Sequence, residues 1–207
     1  MPALEISRWV VRAKSEGRRP RWFKGDYVGK RFDPFAGGEA GLLIEGVVLR
    51  RWKDRIKSQA GGTKLNPKFW VDLYEVLGPE IRRWRKLSVE DLASRRSNFE
   101  RAHPGRRLRL PKKDFDLWLI LRRCPLAYID EVVKAHRTDM ERGESPRGLP
   151  DLFLYQWTGK HFVRAIFVEV KGPGDRLSKW QRAELDRLER HQLPALTFAL
   201  REKAGAR

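Results

Sequence analysis

The spacing of hydrophobic positions changes near Gly148, and the change divides the chain into two textures. Before it, apolar residues recur at helical intervals. Leu4–Ala13 predicts a short helix, followed by a basic, glycine-containing connection to Gly38. From Glu39 to Lys57, residues Leu42, Leu43, Val47, Val48 and Trp52 fit a helix, although Gly41 and Gly46 weaken it. Phe69–Leu77 and Val89–Arg101 predict further helices, with Ser88 as N-cap of the second and Asp91 three residues on. Leu126–Met140 predicts another, whereas Asp114–Leu121 fits either a helix or a strand. After Gly148 the period falls to two. Asp151–Trp157 and Val163–Lys171 predict strands with Thr158-Gly159-Lys160 at the turn, and Gly172-Pro173-Gly174-Asp175 stops the second strand. Ser178–His191 then predicts a helix that turns Trp180, Leu185 and Leu188 to the core, and Ala195–Leu200 a third strand. Helices, hairpin, helix and strand in that order specify an α/β fold, a small mixed sheet flanked by helices.

Length and composition narrow this picture. At 207 residues with 41% hydrophobic residues and eight Trp, the chain suits one folded domain or a domain with a small attachment. Cys124 is the single cysteine, which excludes an internal disulfide and any cysteine-rich zinc site. The opening residues are too charged for a signal peptide and no apolar run reaches transmembrane length, so the expectation is a soluble, intracellular protein without a membrane partner. It would be cytoplasmic in a prokaryote or virus and nuclear in a eukaryote.

The net charge of +18 exceeds what solubility requires and predicts a polyanionic partner. Basic runs lie at Arg18–Arg31, Arg50–Lys57, Arg82–Lys86 and Arg106–Lys113, with Trp22, Phe23, Trp52 and Trp84 among them. Cations hold phosphates and aromatic rings stack on splayed bases. For any single run, a solvated surface over core aromatics accounts for the same residues. Four runs together favour nucleic acid. The candidate DNA contacts are Arg50, Arg51, Arg82, Arg83, Arg106, Arg107, Lys112 and Lys113, joined by Arg176 and Lys179 beyond the strand end.

The chemistry is concentrated after residue 148. Pro150-Asp151 is separated by seventeen residues from Glu169-Val170-Lys171. Glu169 sits in an apolar strand, where a carboxylate without a partner is costly. Alternation places Glu169 and Lys171 on one face, with Val168 and Val170 on the other. Pairing of the hairpin brings Asp151 near Glu169, and a hard divalent cation relieves the repulsion between two carboxylates. Magnesium or manganese on Asp151 and Glu169, aided by the Val170 carbonyl, would activate a water and stabilise charge on a phosphodiester. Lys171 would orient that water or contact the phosphate. Alone, the same residues describe a surface Glu–Lys pair worth about 0.5 kcal/mol.

Gly148-Leu-Pro-Asp-Leu-Phe-Leu and Val168-Glu-Val-Lys-Gly-Pro-Gly-Asp-Arg-Leu-Ser-Lys-Trp-Gln181 resemble the VRR-NUC (virus-type replication-repair nuclease) domain of the PD-(D/E)xK superfamily. The Val-Glu-Val-Lys-Gly-Pro-Gly-Asp-Arg-Leu-Ser stretch is closest to the Fanconi-associated nuclease branch. The resemblance covers Gly148–Phe198 closely and Gly38–Met140 loosely. It implies a restriction-endonuclease-like core, Asp151 and Glu169 as metal ligands, and Lys171 as catalytic lysine. It also implies a metal-site glutamate opening an upstream helix that ends in Trp thirteen residues later, a spacing met by Glu39 and Trp52. Arg50-Arg51-Trp52-Lys53 departs from that pattern. Gln181 carries two readings: a residue at the metal site by resemblance, and the closing member of a capping box with Ser178. Glu45 and Glu131 are rivals to Glu39, but Glu45 projects to a different helix face from Glu39 and Glu131 reads as an exposed helical acid. The four histidines, His103, His136, His161 and His191, have no metal-ligand spacing, and Cys124 reads as a packed thiol.

The domain expectation is a basic extension over residues 1–37 and a VRR-NUC-like domain over 38–207, with a helical part at 38–140 and a catalytic core at 141–200. The functional expectation is a structure-specific deoxyribonuclease, endo- or exonucleolytic, acting on flapped or branched DNA. A dimeric Holliday junction resolvase and a non-catalytic DNA-binding module remain open alternatives.

Overall fold

Alternating apolar residues on three consecutive segments dictate a central sheet. The structure, a computed structural model, describes residues 23–27, 45, 48–49, 52, 60–158, 161–171 and 176–202. The expected Leu4–Ala13 helix, Trp22, Glu39, Arg50, Arg51 and turn residues Gly159 and Lys160 lie outside them. Among the described residues five strands form one sheet: β1 (Phe23–Tyr27), β2 (Ala60–Lys64), β3 (Leu152–Thr158), β4 (His161–Lys171) and β5 (Ala195–Glu202). Their order is β1-β5-β4-β3-β2. β3 pairs antiparallel with β4 and β2, whereas β5 runs parallel to β4 and β1, so the sheet is mixed.

Period two fills one face of this sheet with Leu152, Leu154, Ile166, Val168, Val170 and Leu196, all buried together with Val48 and Trp52. Glu45, Val48, Leu49 and Trp52 are helical and spaced i, i+3, i+4, i+7, which makes them a single stripe. Trp52 ties that stripe to the sheet, its Nε1 donating to the carbonyls of Gly61 at 3.1 Å and Tyr155 at 3.3 Å. The opposite face presents Phe153, Phe167, Glu169 and Lys171, with the two phenyl rings edge to face at 5.1 Å.

Contacts divide the chain into two units, Met1–Lys64 with Pro150–Arg207, and Leu65–Leu149. The sheet belongs to the first. The second is helical: α1 (Phe69–Leu77), α2 (Ile81–Trp84), α3 (Val89–Ala102), α4 (Asp114–Arg123) and α5 (Leu126–Glu141). Trp70 of α1 meets Tyr128 of α5 edge to face at 5.8 Å, both fully buried. Gly78, at φ +78°, ends α1 in a backbone conformation that side chains resist. Ser88 and Asp91 form the expected capping box of α3. Among the described residues no helix is long and apolar enough to cross a membrane.

Asp114–Leu121, which fits either element by its pattern, is helical, because Leu117, Ile120 and Leu121 share a buried face. Phe23–Tyr27, inside the stretch read as an extension, is an edge strand docked on β5, and Ala60–Lys64 adds a strand within the region read as helical. Trp52 and Trp84 are buried rather than available to stack on bases, and Trp84 Nε1 donates to the Gly78 carbonyl at 3.2 Å.

Candidate active site

The hairpin register builds the site. Leu152 pairs with Val168, and one further step along the antiparallel ladder sets Asp151 opposite Glu169. Asp151 precedes β3 by one residue, and its Oδ2 accepts the Val170 N–H at 2.7 Å. Val170 thus enters the site through its N–H, while its side chain joins the opposite core face. Glu169 is 1% exposed and Lys171 10%, with Lys171 Nζ 2.7 Å from Glu169 Oε1.

The next helix, α6 (Lys179–Arg190), completes this arrangement. Ser178 caps it, and Gln181 serves cap and site together. Its Oε1 accepts the Ser178 N–H at 2.9 Å and Lys171 Nζ at 2.9 Å, while its amide nitrogen donates to Glu169 Oε1. The two readings of Gln181 are therefore one geometry: the capping box that starts the helix also orients the amide that holds both charged side chains.

Burial raises both carboxyls. Asp151 is pushed from 3.8 up to about 6, chiefly by desolvation, with the Val170 N–H opposing and the Glu45 charge adding to the rise. Glu169 is pushed from 4.5 to about 7 by desolvation and then by Asp151, against the Lys171 hydrogen bond. Glu45 thus acts on both acids. It lies on the Val48–Trp52 stripe, so the signal was the helical spacing of its apolar neighbours. Lys64, at the end of β2, lies 3.7 Å from Glu45 and lowers Asp151 by its charge; no sequence pattern marked it.

A divalent cation fits these residues. Glu169 Oε2 and Glu45 Oε2 are buried and accept no hydrogen bond among the described residues. Buried carboxylate oxygens without donors are what a hard cation requires. Asp151 and Glu169 form the close pair; among the described residues no three acidic, His or Cys side chains converge tightly enough to enclose an ion by themselves. Glu45 is the described third acid, and Glu39 lies outside the described residues.

A model of the VRR-NUC domain family matches residues 94–198, just over half of the chain. The chain belongs to the VRR-NUC domain family. No curated protein matches it. Two solved structures share the VRR-NUC fold seen here: paFAN1 bound to 5′ flap DNA with a 2-nucleotide flap and a gap, at 16% identity and TM-score 0.54, and the same protein with a 1-nucleotide flap, at 17% and 0.50. Each match covers 93% of this chain and 41% of the solved chain, so this VRR-NUC chain spans about two fifths of their length. The PD-(D/E)xK-type α/β fold expected from residues 148–181 is the fold observed.

The DNA-contact candidates divide by their neighbours. Arg106 Nη2 bonds both Glu75 oxygens, at 2.7 and 2.9 Å, and reaches the buried Asp72 at 3.4 Å. It ties α1 to the segment before α4, whose Arg109 N–H also donates to Asp72 at 2.5 Å. Its side chain is 41% exposed, so this tie between segments stands beside its candidacy as a phosphate contact. Arg83 pairs with Glu80 at 2.5 Å, and Lys179 lies over the Trp180 ring at 4.3 Å. Arg82, Arg107, Lys112, Lys113 and Arg176 are exposed.

Proposed function

We propose that this VRR-NUC domain is a divalent-metal-dependent nuclease that hydrolyses phosphodiester bonds in flapped or branched DNA. The observation that carries the reading is the buried Asp151–Glu169 pair, locked to Lys171 and Gln181 at the end of the β3–β4 hairpin. Asp151 and Glu169 would hold magnesium or manganese, with Glu45 as the nearby third carboxylate. When bound, such an ion lowers the pKa of water and offsets charge on phosphoryl oxygens. Lys171 uses two contacts on Glu169 and Gln181. An ammonium has three donors, so one remains to orient the attacking water. Gln181 keeps that ammonium and the Glu169 carboxylate in register, and burial of Glu169 strengthens every charge interaction around the reacting phosphate. The net charge of +18 supplies attraction for the DNA backbone. The flap DNA held by the paFAN1 structures supports flaps as the substrate class.

The test is purified chain on flaps, splayed arms, four-way junctions and linear duplex, with magnesium, manganese or chelator. Metal-dependent cleavage near flap junctions is the expected result, lost in Asp151→Ala, Glu169→Ala and Lys171→Ala. Tight binding of branched DNA without cutting under either metal would overturn the reading in favour of a binding module. Paired symmetric nicks in four-way junctions by a dimer would replace flap processing with junction resolution.

A further inference from the structure

Lys64 ends β2 and stands opposite Leu152 in the antiparallel register, one residue from Asp151. Its side chain is 45% exposed, and its acidic neighbour Glu45 lies 3.7 Å away. That distance is an ion pair but too long for a direct hydrogen bond, so the pair does not take up the ammonium's donors. A pair held at this distance with its lysine half-exposed adds about 0–1 kcal/mol to stability, which gives little structural reason for a lysine there.

Among the described residues the other cation acting on Asp151 is Lys171, which is 10% exposed and already engaged by Glu169 and Gln181. A phosphodiester approaching Asp151, Glu169 and Glu45 meets three acids. Only a cation with donors facing solvent offsets that repulsion from outside the buried cluster, and Lys64 has that position. We propose that Lys64 is a substrate-contacting residue whose ammonium donates to a non-bridging oxygen of the phosphodiester at the carboxylate pair, an inference that rests on the nuclease reading above.

The full chain, Lys64→Met and Lys64→Arg are compared on a 5′-flap duplex in two assays. Binding is followed by fluorescence anisotropy in chelator over a range of salt, and cleavage in magnesium under single turnover. Loss of one phosphate contact should flatten the log–log salt slope by about 0.7–0.9 in Lys64→Met, with Lys64→Arg restoring it. Cleavage should fall about 10- to 100-fold in Lys64→Met, the loss expected for one charge-assisted hydrogen bond, and recover in Lys64→Arg. An unchanged slope with wild-type cleavage would overturn the contact and leave the nuclease reading standing. An unchanged slope with a displaced pH profile of cleavage would also overturn it, making Lys64 a tuner of Asp151. A flattened slope in a wild type that cuts nothing would uphold the phosphate contact and sink the nuclease reading. Absence of DNA binding by the wild type would end both.

Discussion

Replacing Asp151 by Asn should stabilise the metal-free protein above neutrality while removing its chemistry. The folded chain keeps the Asp151 proton to about 6 instead of 3.8, mainly because burial disfavours the charge. Between those values the folded state binds more protons than the unfolded state, so stability falls as pH rises through the window and stays reduced above it. At about 1.4 kcal/mol per pH unit, the full penalty is roughly 3 kcal/mol. Asn is neutral at every pH and can still accept the Val170 N–H, now at 2.7 Å. It also removes the charge that ranks second among the causes raising Glu169. Against this, its amide hydrogens need acceptors, and one left unmet costs about 1 kcal/mol. The charge effect wins, leaving a gain of about 1–2 kcal/mol, or about 2–8 °C in melting temperature for a chain of this length. The assay is thermal melting in chelator from about pH 4 to about pH 8. The difference between the Asp151→Asn variant and wild type should be small at the acid end and reach its full size above the folded pKa of about 6. Magnesium should raise the wild-type melting temperature at the alkaline end and leave the variant unmoved. A variant that melts below wild type there, or a gap independent of pH, would refute the reasoning.

Three further outcomes are expected. Ser178→Ala and Gln181→Ala should each lose about 1 kcal/mol from the α6 cap, but only Gln181→Ala should cut turnover strongly, because only it releases Lys171 and Glu169; equal turnover losses in single-turnover assays would reduce Gln181 to a cap. Arg106→Ala should lower the melting temperature with little change in DNA affinity, whereas Arg107→Ala should flatten the salt slope by about 0.7–0.9 at constant stability. The reverse pattern would make Arg106 a phosphate contact first and a structural tie second. Trp52→Phe should cost about 1 kcal/mol in denaturant unfolding through loss of the one N–H shared between the Gly61 and Tyr155 carbonyls, with DNA affinity unchanged. A weakened affinity in the folded variant would make Trp52 a base-stacking residue after all.

Legibility followed the range of the forces involved. The β3–β4 hairpin was readable because alternation leaves one face to bury: Val168 and Val170 go to the core, so Glu169 and Lys171 must share the other face. The capping boxes at Ser88 and Ser178 were readable because each closes within three residues. The close acid pair followed from the hairpin register, and the motif around it identified the family.

Tertiary structure decided what depends on distant partners. β2 is Ala-Gly-Gly-Thr-Lys, poor in strand formers, and it exists as a strand because β3 supplies its ladder. Its glycines are required there by packing: a Cβ on Gly61 would run into the Tyr155 ring, and one on Gly62 would lie 2.7 Å from Leu154. Lys64 reaches the site only through that pairing. Likewise Glu45 acts on both acids because of which stripe of its helix faces the sheet, a matter of how Val48 and Trp52 dock. A run of arginines shows charge, but Arg106 is held by Glu75 and Asp72, thirty-one and thirty-four residues earlier. Local periodicity determines elements and faces; which acids and cations meet at those faces is set by packing between segments far apart in the chain.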